Sequence, residues 1–427
     1  MDLDLTKIKK VFFVGIGGIG ISAVARMMLI EGKEVLGSDM SEGEMVRELR
    51  ALGAQITIGQ SFDLIPTDTD LIVYTVAIKH YEPALLEHIL SSDIVAKSYP
   101  QMLAVLTKGK NTIAVSGTYG KTTTTAMIAK ILIEAQKDPS VIVGSLLKDY
   151  ASNLIVGKGE HFVVEACEYE RSFLNIHPKV LVITNIEADH LDYYKDLADI
   201  VSAFKELLSQ TEVAVVCDPN DPATMQVVQD AKIRVVDYTA YLPNVPKLLV
   251  AGEHNRKDAA AALSVADVLG VDPVVALAGI AQFAGTWRRL EKKGTTQSGT
   301  IVYDDYAHHP TEVRASLQAL RELYPDKKIS VLFQPHLYSR TKALFQEFTE
   351  AFGGADHVYF LPIYFAREAP DPTVSSELLA EHIQGAKAFA GFPEATDFFR
   401  NVGLGENDVF VTMGAGEAYK VGDELLK

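Results

Sequence analysis

The middle of the chain contains the stretch TIAVSGTYGKTTTTAMIAK, residues 112–130, which decides how this region folds. An apolar run from Thr112 to Val115 is typical of a buried strand, and a helical pattern continues through Ala126 to Glu134. A strand, a glycine-containing loop and a helix in this order bind phosphate, because loop amides and the helix N-terminus attract anions. The stretch therefore predicts a central α/β domain that binds a nucleotide.

The loop inside this stretch departs from the general pattern G-x-x-x-x-G-K-T, because Val115 stands where that pattern has its first glycine. A narrower variant of the loop is therefore needed, and a chance turn followed by a lysine is the alternative. In the functional interpretation, Lys121 balances the negative charge of the β- and γ-phosphates, and the Thr122 hydroxyl is a ligand for Mg²⁺.

A second glycine loop, GIGGIG at residues 15–20, lies near the N-terminus. It follows an apolar strand at 11–14 and opens a helix, so its amides can receive a diphosphate. Asp39 ends the next strand roughly 20 residues later, where a dinucleotide-binding domain places its ribose-binding acid. This segment alone leaves three interpretations open: NAD in an oxidoreductase, another nucleotide, or tight packing.

Strands and helices alternate along the whole chain, and the pattern restarts after Gly285 with further strands at 300–303, 328–333, 357–361 and 408–412. Such alternation is typical of parallel sheets covered by helices. We therefore predict an α/β protein of three domains: a Rossmann-like domain at 1–106, a central P-loop ATPase-like domain at 107–285 and a Rossmann-like domain at 286–427.

Composition limits the possible functions. The 56 acidic and 40 basic residues give a formal charge of -16, which disfavours nucleic acid as a partner. No apolar run reaches the length of a membrane span, and the glycines at 15–20 argue against a signal peptide. The only cysteines, Cys167 and Cys217, fit neither a disulfide framework nor a zinc site. We expect a cytoplasmic protein with no membrane or nucleic-acid partner.

Polar residues at predicted strand ends are further candidates. Glu165 ends the strand at 161–165, and Asp189 and His190 follow the strand at 180–184. Carboxyl ends of parallel strands face the ligand crevice, and carboxylate oxygens suit Mg²⁺. Taken singly, an acid at such a position is more often a solvated loop residue than a ligand. The adjacent His308 and His309 are poor candidates for zinc, because neighbouring side chains point apart and no third ligand has a recognisable spacing.

Taken together, these segments resemble the Mur ligase family over nearly the whole chain and in the family's order. The resemblance rests on residues 14–20, 116–124, 165–169, 184–190, 304–312 and 333–336. It implies an N-terminal domain for a UDP-sugar, a central ATPase and a C-terminal domain for the incoming amino acid. The first glycine loop is then assigned to a UDP diphosphate rather than to NAD.

The resemblance also implies a reaction. It is the ATP- and Mg²⁺-dependent joining of L-alanine to the lactyl carboxylate of UDP-N-acetylmuramate through an acyl phosphate, in peptidoglycan precursor synthesis, by a monomer or dimer. The alternatives are the recycling ligase that attaches an intact tripeptide to the same sugar, an NAD-dependent oxidoreductase, and a P-loop binding module without ligase chemistry. The run from Gln334 to Thr341 argues against the tripeptide ligase, and the loop at Lys121 argues against the oxidoreductase.

The resemblance implies the following site residues in this sequence. The catalytic set is Lys121, Glu165, His190 and Arg289. The ATP-binding set is Gly117, Thr118, Gly120, Lys121, Thr122, Thr123, Asn255, Arg289 and Asp305. The UDP-sugar set is Gly15, Gly17, Gly18, Ile19, Gly20, Ser22 and Asp39. The amino-acid set is Tyr306, His336 and Arg340, with the arginine taking the alanine carboxylate in bidentate fashion. The Mg²⁺ ligands are Thr122, Glu165 and His190.

Some positions depart from the family pattern. Asp258 stands where a second asparagine is usual, and we expect it to face the adenine or ribose side if it touches nucleotide. Leu337 replaces a frequent arginine, which bears on amino-acid specificity, and Cys167 replaces a frequent aspartate. Lys205 lies near the position of a carbamylated lysine found in some relatives but is out of register, so it is not assigned to the site.

Overall fold

The protein's structure, a computed structural model, describes residues 3–366 and 368–427. Its strands form three sheets that follow one another along the chain. This confirms the predicted α/β class with three successive units. In the described part of the chain, no helix is both long and apolar enough to cross a membrane.

The first sheet contains five parallel strands. Its elements are β1 (Lys10–Val14), α1 (Ile19–Ile30), β2 (Glu34–Asp39), α2 (Glu44–Ala51), β3 (Gln55–Ile58), β4 (Leu71–Tyr74), α3 (Ile78–Tyr81), α4 (Pro83–Ser91), β5 (Val95–Ser98) and α5 (Tyr99–Thr107). The strand order is β3-β2-β1-β4-β5, so β1 is central and leads into the first glycine loop. Residues 11–14 of β1 are buried, as expected for a parallel sheet covered on both faces.

The second sheet contains seven strands. Its elements are β6 (Asn111–Ser116), α6 (Lys121–Glu134), β7 (Ser140–Leu147), β8 (Ser152–Ile155), β9 (His161–Glu165), β10 (Val180–Ile183), α7 (Leu197–Ser209), β11 (Ala214–Cys217), α8 (Pro222–Val228), β12 (Arg234–Asp237), α9 (Glu253–Val268) and α10 (Pro273–Ala281). The order is β12-β11-β10-β6-β9-β7-β8, with β8 antiparallel to β7. β6 lies between β10 and β9. The loop before Lys121, the strand-end Glu165 and the segment with Asp189 and His190 therefore follow neighbouring strands.

The third sheet contains six strands. Its elements are β13 (Glu291–Thr295), β14 (Ile301–Asp305), α11 (Pro310–Leu323), β15 (Lys328–Phe333), α12 (Tyr338–Ala343), α13 (Phe345–Thr349), β16 (His357–Phe360), α14 (Ser376–Glu381), β17 (Lys387–Ala388), α15 (Phe392–Asn401), β18 (Asp408–Met413) and α16 (Tyr419–Leu425). The order is β13-β14-β18-β15-β16-β17, and β13 pairs antiparallel with β14. The predicted domain boundaries at 106/107 and 285/286 fall between the sheets.

The three units pack against one another. A continuous apolar core joins the inner residues of the first sheet to one face of the second, with Met102, Leu103 and Leu106 of α5 between them. The Asn153 side chain on β8 donates hydrogen bonds to the Ile19 carbonyl and, at 3.0 Å, to the Ser22 hydroxyl. These contacts join the first unit to the second, and Trp287 N, at the start of the third unit, donates to the Leu146 carbonyl at 3.0 Å.

Candidate active site

The loop between β6 and α6 has room only for glycine at two positions. Gly117 has φ +135° and Gly120 has φ +83°, and a Cβ on Gly117 would overlap the Thr184 hydroxyl. Asn185 fixes the loop, because its carbonyl accepts from Thr118 N and its Oδ1 accepts from Tyr119 N, both at 3.1 Å. The loop therefore approaches the next strand closely and presents the N-terminus of α6 to the cleft.

Lys121, the first residue of α6, folds back over the loop. Its ammonium donates to the carbonyls of Gly117 and, at 3.0 Å, Thr118, and lies 3.0 Å from Glu168 Oε1. Burial alone would lower the pKa of Lys121, but the nearby carboxylates, Glu168 foremost, raise it above its ordinary value. The lysine is therefore held as a cation. The sequence interpretation missed Glu168, although it stands three residues after the strand-end Glu165.

The predicted metal ligands Thr122 and Glu165 lie together. Thr122 Oγ1 donates to Glu165 Oε2 at 2.9 Å, and the same carboxylate oxygen accepts from Gly144 N at 2.7 Å. Arg289 Nη2, which comes from the segment preceding β13, donates to Thr122 Oγ1 at 3.2 Å. A hydroxyl and a carboxylate beside a phosphate loop form a donor set that suits Mg²⁺.

The third predicted ligand, His190, lies on the other side of Lys121. Its Nε2 is 3.7 Å from Glu168 Oε1, and its ring packs on Tyr169 at 4.8 Å between centroids. His190 Nδ1 and Glu168 Oε2 are buried without hydrogen-bond partners. Within the described residues, no three His, Cys, Asp or Glu side chains are grouped to hold a metal by themselves. Mg²⁺ usually keeps several waters and binds substrate phosphates as well as protein ligands. These donors therefore suit Mg²⁺ when phosphate and water complete its coordination shell.

A cavity of about 320 Å³ opens on one side of the loop. Five of the predicted ATP-binding residues line it: Gly120, Thr123, Asn255, Arg289 and Asp305. Burial raises the pKa of Asp305 to about 6, and burial lowers the pKa of His254, which also lines this cavity, to about 4. At neutral pH the wall therefore offers a neutral imidazole and, mostly, a carboxylate.

Asp258 lies close to the phosphate loop. Its Oδ1 accepts from Thr124 Oγ1 at 3.1 Å. A Cβ on Gly120 would lie 2.5 Å from the same oxygen. Asp258, which stands where the family usually has asparagine, thus lies beside the N-terminus of α6.

A second cavity, of about 380 Å³, lies on the other side of the loop and is lined by all three units. Ile19 and Gly20 come from the first glycine loop. The central unit contributes four predicted catalytic or metal-binding residues: Lys121, Thr122, Glu165 and His190. The third unit contributes the three predicted amino-acid contacts: Tyr306, His336 and Arg340. Arg289 and Glu312 line both cavities.

The first glycine loop only partly matches its predicted role. Ile19 and Gly20 line the second cavity, and Gly17 and Ile19 line a third cavity of about 290 Å³. Gly15 is buried and Gly18 is exposed at the start of α1. Asp39 Oδ2 accepts from Gly17 N at 2.8 Å, so this acid holds the loop. Ser22 is 0% exposed and bonded to Ile19 and Asn153, which corrects its assignment as a sugar contact.

The guanidinium of Arg340 is already engaged. Its Nε and Nη2 donate to Asp189 Oδ1 at 3.1 and 3.0 Å, and its Nη1 lies 3.1 Å from His336 Nδ1. Burial opposes ionisation of Asp189, but His190 and Arg340 hold the pKa of its carboxyl well below the usual range. Bidentate binding of an alanine carboxylate through the same edge therefore requires this pair to separate, which corrects the predicted arrangement.

Lys205 is exposed on α7. Cys167 is exposed and lines the second cavity.

A phosphate loop that faces a cleft shared by two further α/β units defines the class: a three-domain P-loop enzyme that brings together groups held by different domains. The comparisons agree. Residues 10–111 match the Mur ligase family catalytic domain, residues 115–245 match the Mur ligase middle domain, and residues 288–416 match the Mur ligase glutamate ligase domain. The chain belongs to the Mur ligase family.

Individual relatives extend this result. The chain is 38% identical to the UDP-N-acetylmuramate–L-alanine ligase of Clostridium kluyveri, with all of both chains covered. It is also 38% identical to the protein of the same name from Agathobacter rectalis, covering 100% of this chain and 99% of that one. The solved UDP-N-acetylmuramate-alanine ligase of Thermotoga maritima superposes with a TM-score of 0.80 at 29% identity, covering 97% and 98% of the two chains.

Proposed function

We propose that this protein is an ATP-dependent carboxylate-amine ligase that joins L-alanine to the lactyl carboxylate of UDP-N-acetylmuramate. The observation that carries the proposal is the cavity of about 380 Å³ lined by all three domains. Its position beside the phosphate loop suits a reaction in which one domain activates a carboxylate held by a second domain for attack by an amine held by a third. The two full-length relatives at 38% identity, both named UDP-N-acetylmuramate–L-alanine ligase, support the choice of substrates.

The chemistry needs activation, because a carboxylate is a poor electrophile. In the proposed reaction the γ-phosphoryl group of ATP passes to the lactyl carboxylate, and the amine of L-alanine then displaces phosphate from the acyl phosphate. Lys121 and Arg289 balance negative charge on the phosphoryl group in transfer. Enclosure of the cavity by three domains keeps water from hydrolysing the activated carboxylate.

Mg²⁺ would be held by Thr122, Glu165 and His190, and when bound it would neutralise charge on the phosphates. Glu168 positions Lys121 and is added to the proposed site as a positioning residue. Gly117, Thr118, Gly120 and Thr123 shape or line the phosphate loop, while Asn255 and Asp305 contact the nucleotide.

For the UDP-sugar, we propose backbone contacts from Gly17, Ile19 and Gly20, with Gly15, Gly18 and Asp39 shaping the loop. For L-alanine, we propose Tyr306 and His336 together with Arg340 once its pair with Asp189 has opened. We further propose that the enzyme acts in the cytoplasm as a monomer or dimer.

The tripeptide-recycling ligase is the nearest alternative. A murein peptide ligase from Psychrobacter arcticus shares the fold, with a TM-score of 0.71 over 98% of both chains at 22% identity. That likeness concerns the fold alone. The full-length relatives at 38% identity favour the alanine ligase.

The test is phosphate release from ATP and Mg²⁺ in the presence of UDP-N-acetylmuramate, with L-alanine, glycine, L-serine or the tripeptide as acceptor and product mass measured. We expect release that requires both the sugar and L-alanine, with the mass of one alanyl group added. Preference for the tripeptide would assign the recycling reaction instead, and absence of ATP turnover with every acceptor would contradict the proposal.

A further inference from the structure

One carboxyl group in the nucleotide cavity has no role in the proposed reaction. Asp258 is only 6% exposed, and its Oδ1 accepts from Thr124 Oγ1 at 3.1 Å. The same oxygen lies 2.5 Å from where a Cβ of Gly120 would be. Asp258 and Gly120 both line the cavity, as does Thr123 in the first turn of α6. A phosphate bound at the N-terminus of α6 would therefore lie beside this carboxyl.

The titratable and charged groups that line the cavity with Asp258 come from several elements. α9 carries Glu253, His254 and Lys257, and the segment before β13 carries Arg289. Asp218 and Asp221 follow β11, Tyr238 follows β12, and Tyr119 lies in the loop before α6. The third domain contributes Asp305 and Glu312.

The cations among these groups only partly offset the charge of a buried carboxylate. Lys257 is exposed, and the Arg289 guanidinium is directed to Thr122 and Glu312. Burial raises the pKa of Asp258 to about 7, against the opposing effects of the Thr124 hydrogen bond and the two cations. The free protein therefore has a carboxyl that is close to half-protonated at neutral pH, at the place where phosphate would bind.

We infer that Asp258 takes up a proton from solvent when a nucleoside triphosphate binds, and that the neutral acid donates a hydrogen bond to the phosphate groups. A carboxylate can only accept hydrogen bonds, as phosphate oxygens do, so the ionised form opposes the ligand. Addition of one proton converts the same side chain into a donor and removes a like charge. The inference rests on the proposed binding of ATP in this cavity, and asparagine at this position would supply a donor without a proton.

The test is calorimetric titration of the full-length protein with MgADP and MgATP, without sugar or amino acid, at pH 8 in buffers of different ionisation enthalpy. Binding enthalpy plotted against buffer ionisation enthalpy gives the number of protons taken up. We expect the wild type to take up a larger number of protons than Asp258→Asn at this pH, by up to about one. Its affinity should also fall up to about tenfold per pH unit above pH 7 relative to that variant, while protonation of the nucleotide itself is common to both.

Glu253→Gln is the matched control, because Glu253 lies on the same helix and lines the same cavity but is exposed. It should take up as many protons as the wild type. Equal proton uptake by wild type and Asp258→Asn would overturn the inference. If Asp258→Asn does not fold, a wild type whose enthalpy is independent of the buffer would overturn it as well. Absence of nucleotide binding by the wild type would instead contradict the proposed function.

Discussion

Lys121 and Glu168 form a buried pair whose structural and chemical contributions can be separated. The ammonium and carboxylate are 3.0 Å apart, and their side chains are 14% and 5% exposed. Removal of one partner leaves the other charge buried, which typically costs about 3–5 kcal/mol. A loss of activity in a single variant would therefore reflect both reduced stability and the loss of a catalytic group.

For this reason we predict different outcomes for Lys121→Ala and the double variant Lys121→Ala/Glu168→Gln. Both should lose phosphoryl transfer, because neither has the Lys121 ammonium and Arg289 alone does not replace it. The double variant should recover much of the lost stability in urea unfolding, because the neutral glutamine amide leaves no unpaired charge in the buried site. Near-normal turnover by either variant would remove Lys121 from the mechanism.

The buried Asp258 predicts a pH-dependent stability difference in the absence of ligand. Its pKa in the folded protein is about 7, against an ordinary value of 3.8. The folded state therefore binds this proton more tightly than the unfolded state, and stability due to this group falls as pH rises from about 4 to 7. Asparagine does not titrate.

We accordingly expect Asp258→Asn to gain stability over the wild type across this window, by up to about 4 kcal/mol at pH 8. Thermal unfolding at pH 5 and pH 8 measures the gain, with Glu253→Gln as the variant that should show none. A difference between Asp258→Asn and wild type that is the same at both pH values would contradict this expectation.

At the scale of secondary structure, burial explains part of what the sequence could predict. The predicted strands at 11–14, 112–115 and 180–184 became β1, β6 and β10, whose inner residues are buried. The short, largely exposed edge strands β3, β5 and β13 were not predicted, and neither was β7, although most of its residues are buried. Both glycine loops were predicted, because their backbone conformation requires glycine at fixed positions.

The start of α11 is an element whose stability depends on one acid. Glu312 Oε2 accepts from His308 N at 2.9 Å and from His309 N at 3.1 Å. Burial opposes its charge, but His308, Arg289 and these amides lower the pKa of Glu312 to about 2. The carboxylate thus caps the helix and faces the cation that contacts Thr122.

We predict that Glu312→Ala loses about 1–2 kcal/mol more stability than Glu312→Gln, because glutamine keeps an oxygen for the free amides. Urea unfolding of the two variants provides the comparison. Both should weaken ATP binding, since both remove the charge beside Arg289. Equal stabilities would show that the cap contributes little.

For the whole molecule, sequence alone could not predict which side chains meet across the domains. Arg340 and Asp189 are separated by 151 residues and form a buried pair, with side chains 7% and 8% exposed. The motifs identified both segments but gave no information on their contact. Such contacts depend on the relative placement of whole domains, which local periodicity does not report.

We predict that Arg340→Ala raises the KM for L-alanine at least about tenfold while changing the KM for ATP much less, because a charge-assisted hydrogen bond is worth roughly 1.5–3 kcal/mol. Steady-state kinetics with each substrate varied in turn measures both values. Lys342→Ala is the control, since Lys342 is on the same helix but 56% exposed. Equal effects of Arg340→Ala on both substrates would remove Arg340 from the amino-acid site.

The glycine at 117 has a consequence for how resistance to an inhibitor can arise. A compound that binds the backbone amides around this loop contacts atoms that every residue type shares. A bulkier residue at 117, which could block the compound sterically, would also collide with Thr184. Escape by a single substitution is therefore restricted to residues farther from the loop, and a backbone-directed inhibitor should meet resistance less readily than one directed to side chains.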